Sequence, residues 1–212
     1  ISERLYRNRW AGLALAAAFT LRYRVPRTSA NSFEPYFHPR MLAFGIGVTA
    51  IAAFMRRRPW ISVALVATSA VVHVTTGLWF AVLIGVAIVH ADARFRRLAV
   101  GGAAAAVALA AWMTVNGPLR GAWTTMDEVW RQAVSTKDSL FPTTWPAWAW
   151  VSNFAFLALL VWAHRVRQRH GRTRDGDAGL VWGAITLVAI FVVTLPAVTA
   201  GVSFFVQFQI SR

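Results

Sequence analysis

WISVALVATSAVVHVTTGLWFAVLIGVAIVH, residues 60–90, runs for 31 residues without an arginine, lysine, aspartate or glutamate. As one helix, at about 1.5 Å per residue, it would reach about 46 Å, well beyond the roughly 30 Å hydrocarbon core of a bilayer. Near its middle, His73-Val74-Thr75-Thr76-Gly77 sets an imidazole, two hydroxyls and a glycine into an otherwise apolar run. A polar break carrying a glycine divides the stretch into two short helices, 60–72 and 78–90, folded as a hairpin.

The same reading extends outward. Of the 212 residues, 57% are hydrophobic and 14% charged, and the charges fall in short clusters between long uncharged stretches. A soluble domain would scatter them. Five further apolar stretches, 10–21, 41–55, 98–115, 147–163 and 180–200, bring the expected membrane segments to seven. The fold class is therefore all-α: a polytopic helical membrane protein with one transmembrane domain over 1–212 and a long loop at 116–146. The 12 residues of 10–21 are short for a span and suit a re-entrant or tilted segment. They lack a small-residue cleavage pattern and lead into a basic loop, so they do not read as a signal peptide.

The formal charge of +14 comes from 21 arginines and a single lysine, Lys137, against eight acidic residues. Most of the arginines flank apolar spans, which makes them a topology signal rather than a nucleic-acid footprint. With the hairpin in place, 14 of them share one side: Arg4, Arg7, Arg9, residues 56–58, Arg94, Arg96, Arg97, Arg165, Arg167, Arg169, Arg172 and Arg174. That side is expected to be cytoplasmic, with the first residues of the chain on it. The richness in alanine and arginine points to a GC-rich bacterial genome, hence to a bacterial inner membrane. A chain that begins at Ile1 and stops at Arg212 directly after an apolar run reads as an internal fragment. Cysteine is absent, so disulfides, zinc thiolates and cysteine nucleophiles are excluded.

The non-cytoplasmic side then carries the longer loops. In the largest, Trp123, Met126, Trp130 and Val134 recur at helical spacing, so an amphipathic helix is expected, lying in the interface or packed as a lid. Thr125 with Glu128 has the form of a capping box, and Asp127 with Arg131 the i, i+4 spacing of an ion pair. The tryptophans of 141–150 suit an aromatic belt at headgroup depth, with a sugar-stacking platform as the alternative.

Candidate chemistry gathers in two places. Glu34, His38 and Arg40 lie within seven residues at the entrance to the segment 41–55. An arginine there can hold a phosphate by paired hydrogen bonds, and glutamate or histidine can serve as base or metal ligand. The competing explanation is a loop pinned by a Glu34–Arg40 ion pair and two prolines. His73, in the helix break, either faces substrate or satisfies itself on a nearby carbonyl. His90, His164 and His170 fall on the cytoplasmic side as interface or loop residues. No His-Glu-x-x-His, phosphate loop, dinucleotide fingerprint or Gly-x-Ser-x-Gly elbow is present, so neither a metal site nor a cofactor is indicated by motif.

In order, Glu34-Pro35-Tyr36-Phe37-His38-Pro39-Arg40 leading into a helix, His73-Val74-Thr75-Thr76-Gly77-Leu78-Trp79 in a short hairpin, and then an amphipathic loop helix resemble the GT-C-type polytopic membrane glycosyltransferases. That resemblance implies transfer of a sugar from a polyprenyl-phosphate carrier at the outer face, with an acidic loop residue as base or as ligand of a divalent metal. In that family the acidic loop follows the first helix of the protein, and Glu34 sits in a later-looking loop. The catalytic candidates are therefore Glu34, His38 and His73, with none assigned as the base. Arg40 and His73 are the candidates for binding the carrier phosphate or the acceptor. Two other readings stay open: a transporter with a site between broken helices, which Pro196 in the last span would suit, and a membrane scaffold without chemistry.

Overall fold

The computed structural model describes residues 9–20, 26–28 and 38–208. Among these, nine α-helices follow one another: α1 (Arg9–Thr20), α2 (Pro39–Met55), α3 (Pro59–Val72), α4 (Val74–Ala91), α5 (Arg96–Val115), α6 (Glu128–Val134), α7 (Ala147–Arg169), α8 (Asp177–Thr199) and α9 (Ser203–Phe208). Each of the seven apolar stretches overlaps a helix, but seven full spans are not what the helix lengths support. Four segments are long and apolar enough to cross a membrane: Val74–Ala91, Ala93–Val115, Ala147–Arg169 and Asp177–Thr199. These suit a multi-pass membrane protein. The 14 residues of α3 reach only about 21 Å and the 17 of α2 about 26 Å, short of a hydrocarbon core.

The expected hairpin is present, with its break narrower than the sequence indicates. Only His73 leaves the helical conformation, and Thr75, Thr76 and Gly77 already form the first turn of α4. The two arms approach so closely that a Cβ on Gly77 would fall 2.2 Å from the Cα of Ala70. A second hairpin joins α2 to α3 across Arg56, Arg57 and Arg58, with Arg57 at φ +59°. Its register is set by two buried serines: the Ser62 hydroxyl donates to the Ala50 carbonyl (2.8 Å) and the Ser69 hydroxyl to the Ala43 carbonyl (2.9 Å). The two serines are seven residues apart and so are the two alanines, so one antiparallel face is tied at two levels, each tie contributing about 0.6 kcal/mol in such a setting.

α8 completes the bundle against α4. A Cβ on Gly179 would meet the Ala87 carbonyl at 2.6 Å, and one on Gly183 the Leu83 carbonyl at the same distance. Gly179-Leu180-Val181-Trp182-Gly183 is thus a small-xxx-small stripe that lets two backbones touch. The shared core of α2, α3 and α4 is Ala50, Phe54, Val66, Phe80, Ile84, Ala87 and Ile88, with Leu180 of α8 packed against it. By contrast, α5 has no buried residue.

The bundle has two chemically different ends. At one, the arginine end, are the α2–α3 turn, the α4–α5 connection and the α7–α8 loop. The guanidinium of Arg94 hydrogen-bonds Asp92 there (2.7 Å) and holds that carboxyl below its ordinary value. At the other, the histidine end, are His38, His73 and the long loop. That loop packs on α8 and α9 through Met126, Leu140, Val198 and Val206. It is fastened by backbone hydrogen bonds from Met126 to Gly201 (2.9 Å) and from Ser203 to Thr124 (3.0 Å).

The amphipathic helix is shorter and differently capped than expected. α6 spans seven residues, and its cap is Asp127, whose carboxylate accepts from the Trp130 amide at 2.7 Å. Thr125, the expected capping residue, pairs instead with Val202. Arg131 reaches across to the Ala200 carbonyl (3.2 Å). Trp123 precedes the helix and stacks on Phe204, with centroids 5.0 Å apart. In the tryptophan run, Trp145 is buried and, with Trp150, packs on Phe191 of α8, while Trp148 is exposed beneath the guanidinium of Arg27.

Candidate functional site

Two helices begin side by side at the histidine end, and each is capped by a histidine. Pro39 at the first position of α2 has its φ preset for a helix and lacks the N–H that would go unbonded there. His38 before it is extended (φ −124°, ψ 136°), and its Nδ1 accepts the Arg40 amide at 3.1 Å. His73 ends α3 and starts α4 in one residue (φ −152°, ψ 103°). Its Nδ1 receives the Thr76 amide at 3.3 Å and lies 2.9 Å and 3.1 Å from the hydroxyls of Thr76 and Thr75.

These bonds decide the tautomer. A backbone N–H can only donate, so Nδ1 of each ring must be an acceptor, and the proton of each neutral imidazole sits on Nε2. Both rings are therefore hydrogen-bond donors at Nε2. They meet edge to face, with centroids 6.3 Å apart and planes at 61°. The antiparallel pairing of α2 with α3 and the tight α3–α4 turn bring together two residues 35 apart in the chain.

Among the described residues, the charge at this corner is positive. Each helix start carries about half a positive charge from its aligned peptide dipoles. Arg40, half-buried in the first turn of α2, adds a full one. A cation at a helix N-terminus works against the dipole and adds to the attraction of this corner for an anion. Two imidazole N–H groups and a guanidinium at one corner are chemically suited to phosphate oxygens.

Of the candidates read from sequence, His38 and His73 are brought together, and Arg40 is joined to His38 through its backbone amide. Glu34 lies outside the described residues, as does any Glu34–Arg40 ion pair. The loop helix α6 rests on the α8–α9 end of the bundle. His90 faces Trp182 at 6.5 Å, and His170 Nδ1 lies 2.8 Å from the Val166 carbonyl at the end of α7, both at the arginine end. Among the described residues, no three histidine, aspartate or glutamate side chains gather as a metal site. No family model, curated protein or solved structure matches the chain. What sequence reasoning missed is the close-packing glycines, whose signal was the Gly179-x-x-x-Gly183 spacing, and the double role of His73 as the end of one helix and the cap of the next.

Proposed function

We propose that the chain belongs to a multi-pass protein of the bacterial cytoplasmic membrane that binds the phosphate of a polyprenyl-phosphate-linked sugar at its non-cytoplasmic face and transfers the sugar. The observation that carries this reading is the pairing of His38 and His73 at two adjacent helix starts beside Arg40. Phosphate oxygens are the natural partners of that donor set. The topology supports it as well, because the histidine end lies opposite the arginine clusters.

In such a transfer the acceptor hydroxyl attacks the anomeric carbon, the carbon–oxygen bond to phosphate breaks, and the phosphate leaves with the bonding pair. Nε2–H groups and Arg40 would stabilise the charge that grows on the leaving phosphate. Because both imidazoles present a proton at Nε2 and use Nδ1 as a cap, they suit phosphate binding better than proton abstraction. The acceptor proton then goes to a base other than these two rings, for which Glu34 remains a candidate from the sequence. A transporter is less well supported, since the space between α2, α3 and α4 is filled by apolar side chains and the buried serine hydroxyls are bonded to carbonyls.

The test is transfer from a labelled polyprenyl-phosphate sugar in membranes carrying the full-length protein. His73→Asp keeps a cap acceptor for the Thr76 amide but repels phosphate, whereas His73→Ala loses both cap and ring. Losing one hydrogen bond to a charged group costs about 1.5–3 kcal/mol, so transfer should fall roughly 10- to 100-fold in both variants. Only the alanine variant should also lose about 1 kcal/mol of stability. Unchanged transfer in the two variants would remove His73 from the mechanism.

A further inference from the structure

Three basic segments distant in sequence meet at the arginine end. Trp60 and Phe95 touch with ring centroids 5.6 Å apart, which sets residues 56–58 beside 94–97. Gly176 lies on the ring of Phe54, where a Cβ would come within 2.8 Å, and Arg57 is ion-paired with Asp175; together these bring 172–176 to the same place. Segments 56–58, 92–97 and 164–177 hold eleven arginines and three aspartates. Each aspartate already has an arginine: Asp92 with Arg94, Asp175 with Arg57, and Asp177 with Arg167 at 3.1 Å. The positive charge that remains is concentrated on the exposed residues Arg56, Arg58, Arg96, Arg97, Arg165, Arg169 and Arg172.

Part of that charge works against the fold. Arg58 is the residue before the first turn of α3, while Arg96 and Arg97 open α5, so all three stand where helix dipoles are already positive. Mutual repulsion adds to the cost, and the three aspartates described at this end are already paired. Arg96, Arg97 and Arg169 lie at the ends of apolar helices long enough to cross a membrane, and the exposed indole of Trp60 stands at the same end, at the depth where tryptophan meets headgroups. Every cation here is an arginine, the side chain that grips phosphate oxygens in pairs.

We infer that this end is a binding surface for anionic phospholipids, holding their phosphodiester headgroups between the α2–α3 turn and the start of α5. The surface is independent of the histidine end and rests only on the chain being a membrane protein. The test is native mass spectrometry of the full-length protein, purified from vesicles of equal phosphatidylglycerol and phosphatidylcholine. Phosphatidylglycerol is retained preferentially, and raising the ionic strength removes the preference. The variant Arg56→Gln/Arg58→Gln/Arg96→Gln/Arg97→Gln loses the preference by about tenfold or more, while Arg120→Gln/Lys137→Gln, in the long loop at the opposite end, keeps it. Equal retention of the two lipids by the unaltered protein would overturn the inference, as would a preference untouched by the four substitutions or by salt. Failure to retain either lipid would count against the membrane assignment itself. The salt titration needs no variant, so a misfolded substitution leaves the inference open to refutation.

Discussion

Gly77→Ala is expected to break the α3–α4 hairpin, even though alanine is the better helix former. At an unobstructed helical position the change favours folding by about 0.5–1 kcal/mol. At Gly77 the new methyl would stand 2.2 Å from the Cα and 2.4 Å from the amide nitrogen of Ala70. Those are backbone atoms, so no rotamer relieves the overlap and α3 must move away from α4. Overpacking of this kind costs roughly 1–3 kcal/mol and occasionally more, which outweighs the gain in propensity. Because His73 is set by the same turn, its approach to His38 should be lost with it. Gly85→Ala, in the same helix with nothing within 4 Å of the added Cβ, is the control and should be neutral or slightly stabilising. Unfolding midpoints of the purified protein separate the two. A Gly77→Ala midpoint at or above that of the unaltered chain would mean that the arms of the hairpin are not in contact.

Gly179→Ala/Gly183→Ala should separate α8 from α4. Each added methyl lies 2.6 Å from a main-chain carbonyl oxygen, Ala87 in one case and Leu83 in the other. A membrane offers little hydrophobic drive between helices, so close backbone approach is a main source of their attraction. Widening the gap at two levels one turn apart removes it along the whole contact, at an expected cost of about 3 kcal/mol for the pair. Gly101→Ala/Gly102→Ala on α5, where the added atoms meet nothing, should leave the midpoint in place. Equal midpoints for the two double variants would contradict the α4–α8 packing.

These predictions also mark what could be read from the sequence. The apolar stretches and the break at His73 were legible because arginines bound the first and polar side chains mark the second. The facing sides of the helices were not legible, since a helix that is apolar all round has no periodicity to read. Glycine spacing was the one available signal for α8. In the long loop, the spacing of Met126 and Val134 did announce a buried face, but the cap and the fate of Arg131 depend on residues 200–206, some 70 positions away. The candidate site was legible only as types: a histidine in each of two places assigned to the same side of the membrane. That the rings meet, and that each spends Nδ1 on its own helix, is a product of tertiary register that spacing does not encode.

The phosphate-binding role of the histidine end is tested most directly by binding, without turnover. A short-chain polyprenyl phosphate and the corresponding polyprenol differ only in the group that His38, His73 and Arg40 are held to recognise. Titrated against the full-length protein in a neutral-lipid nanodisc, the phosphate should bind about tenfold or more tightly than the alcohol, the contribution of one charged hydrogen bond or more. His38→Asp/His73→Asp, which keeps an acceptor at each cap and reverses the sign of the corner, should abolish that difference while leaving the polyprenol affinity in place. Equal affinity of the unaltered protein for phosphate and alcohol, or a phosphate preference that survives both aspartates, would contradict it.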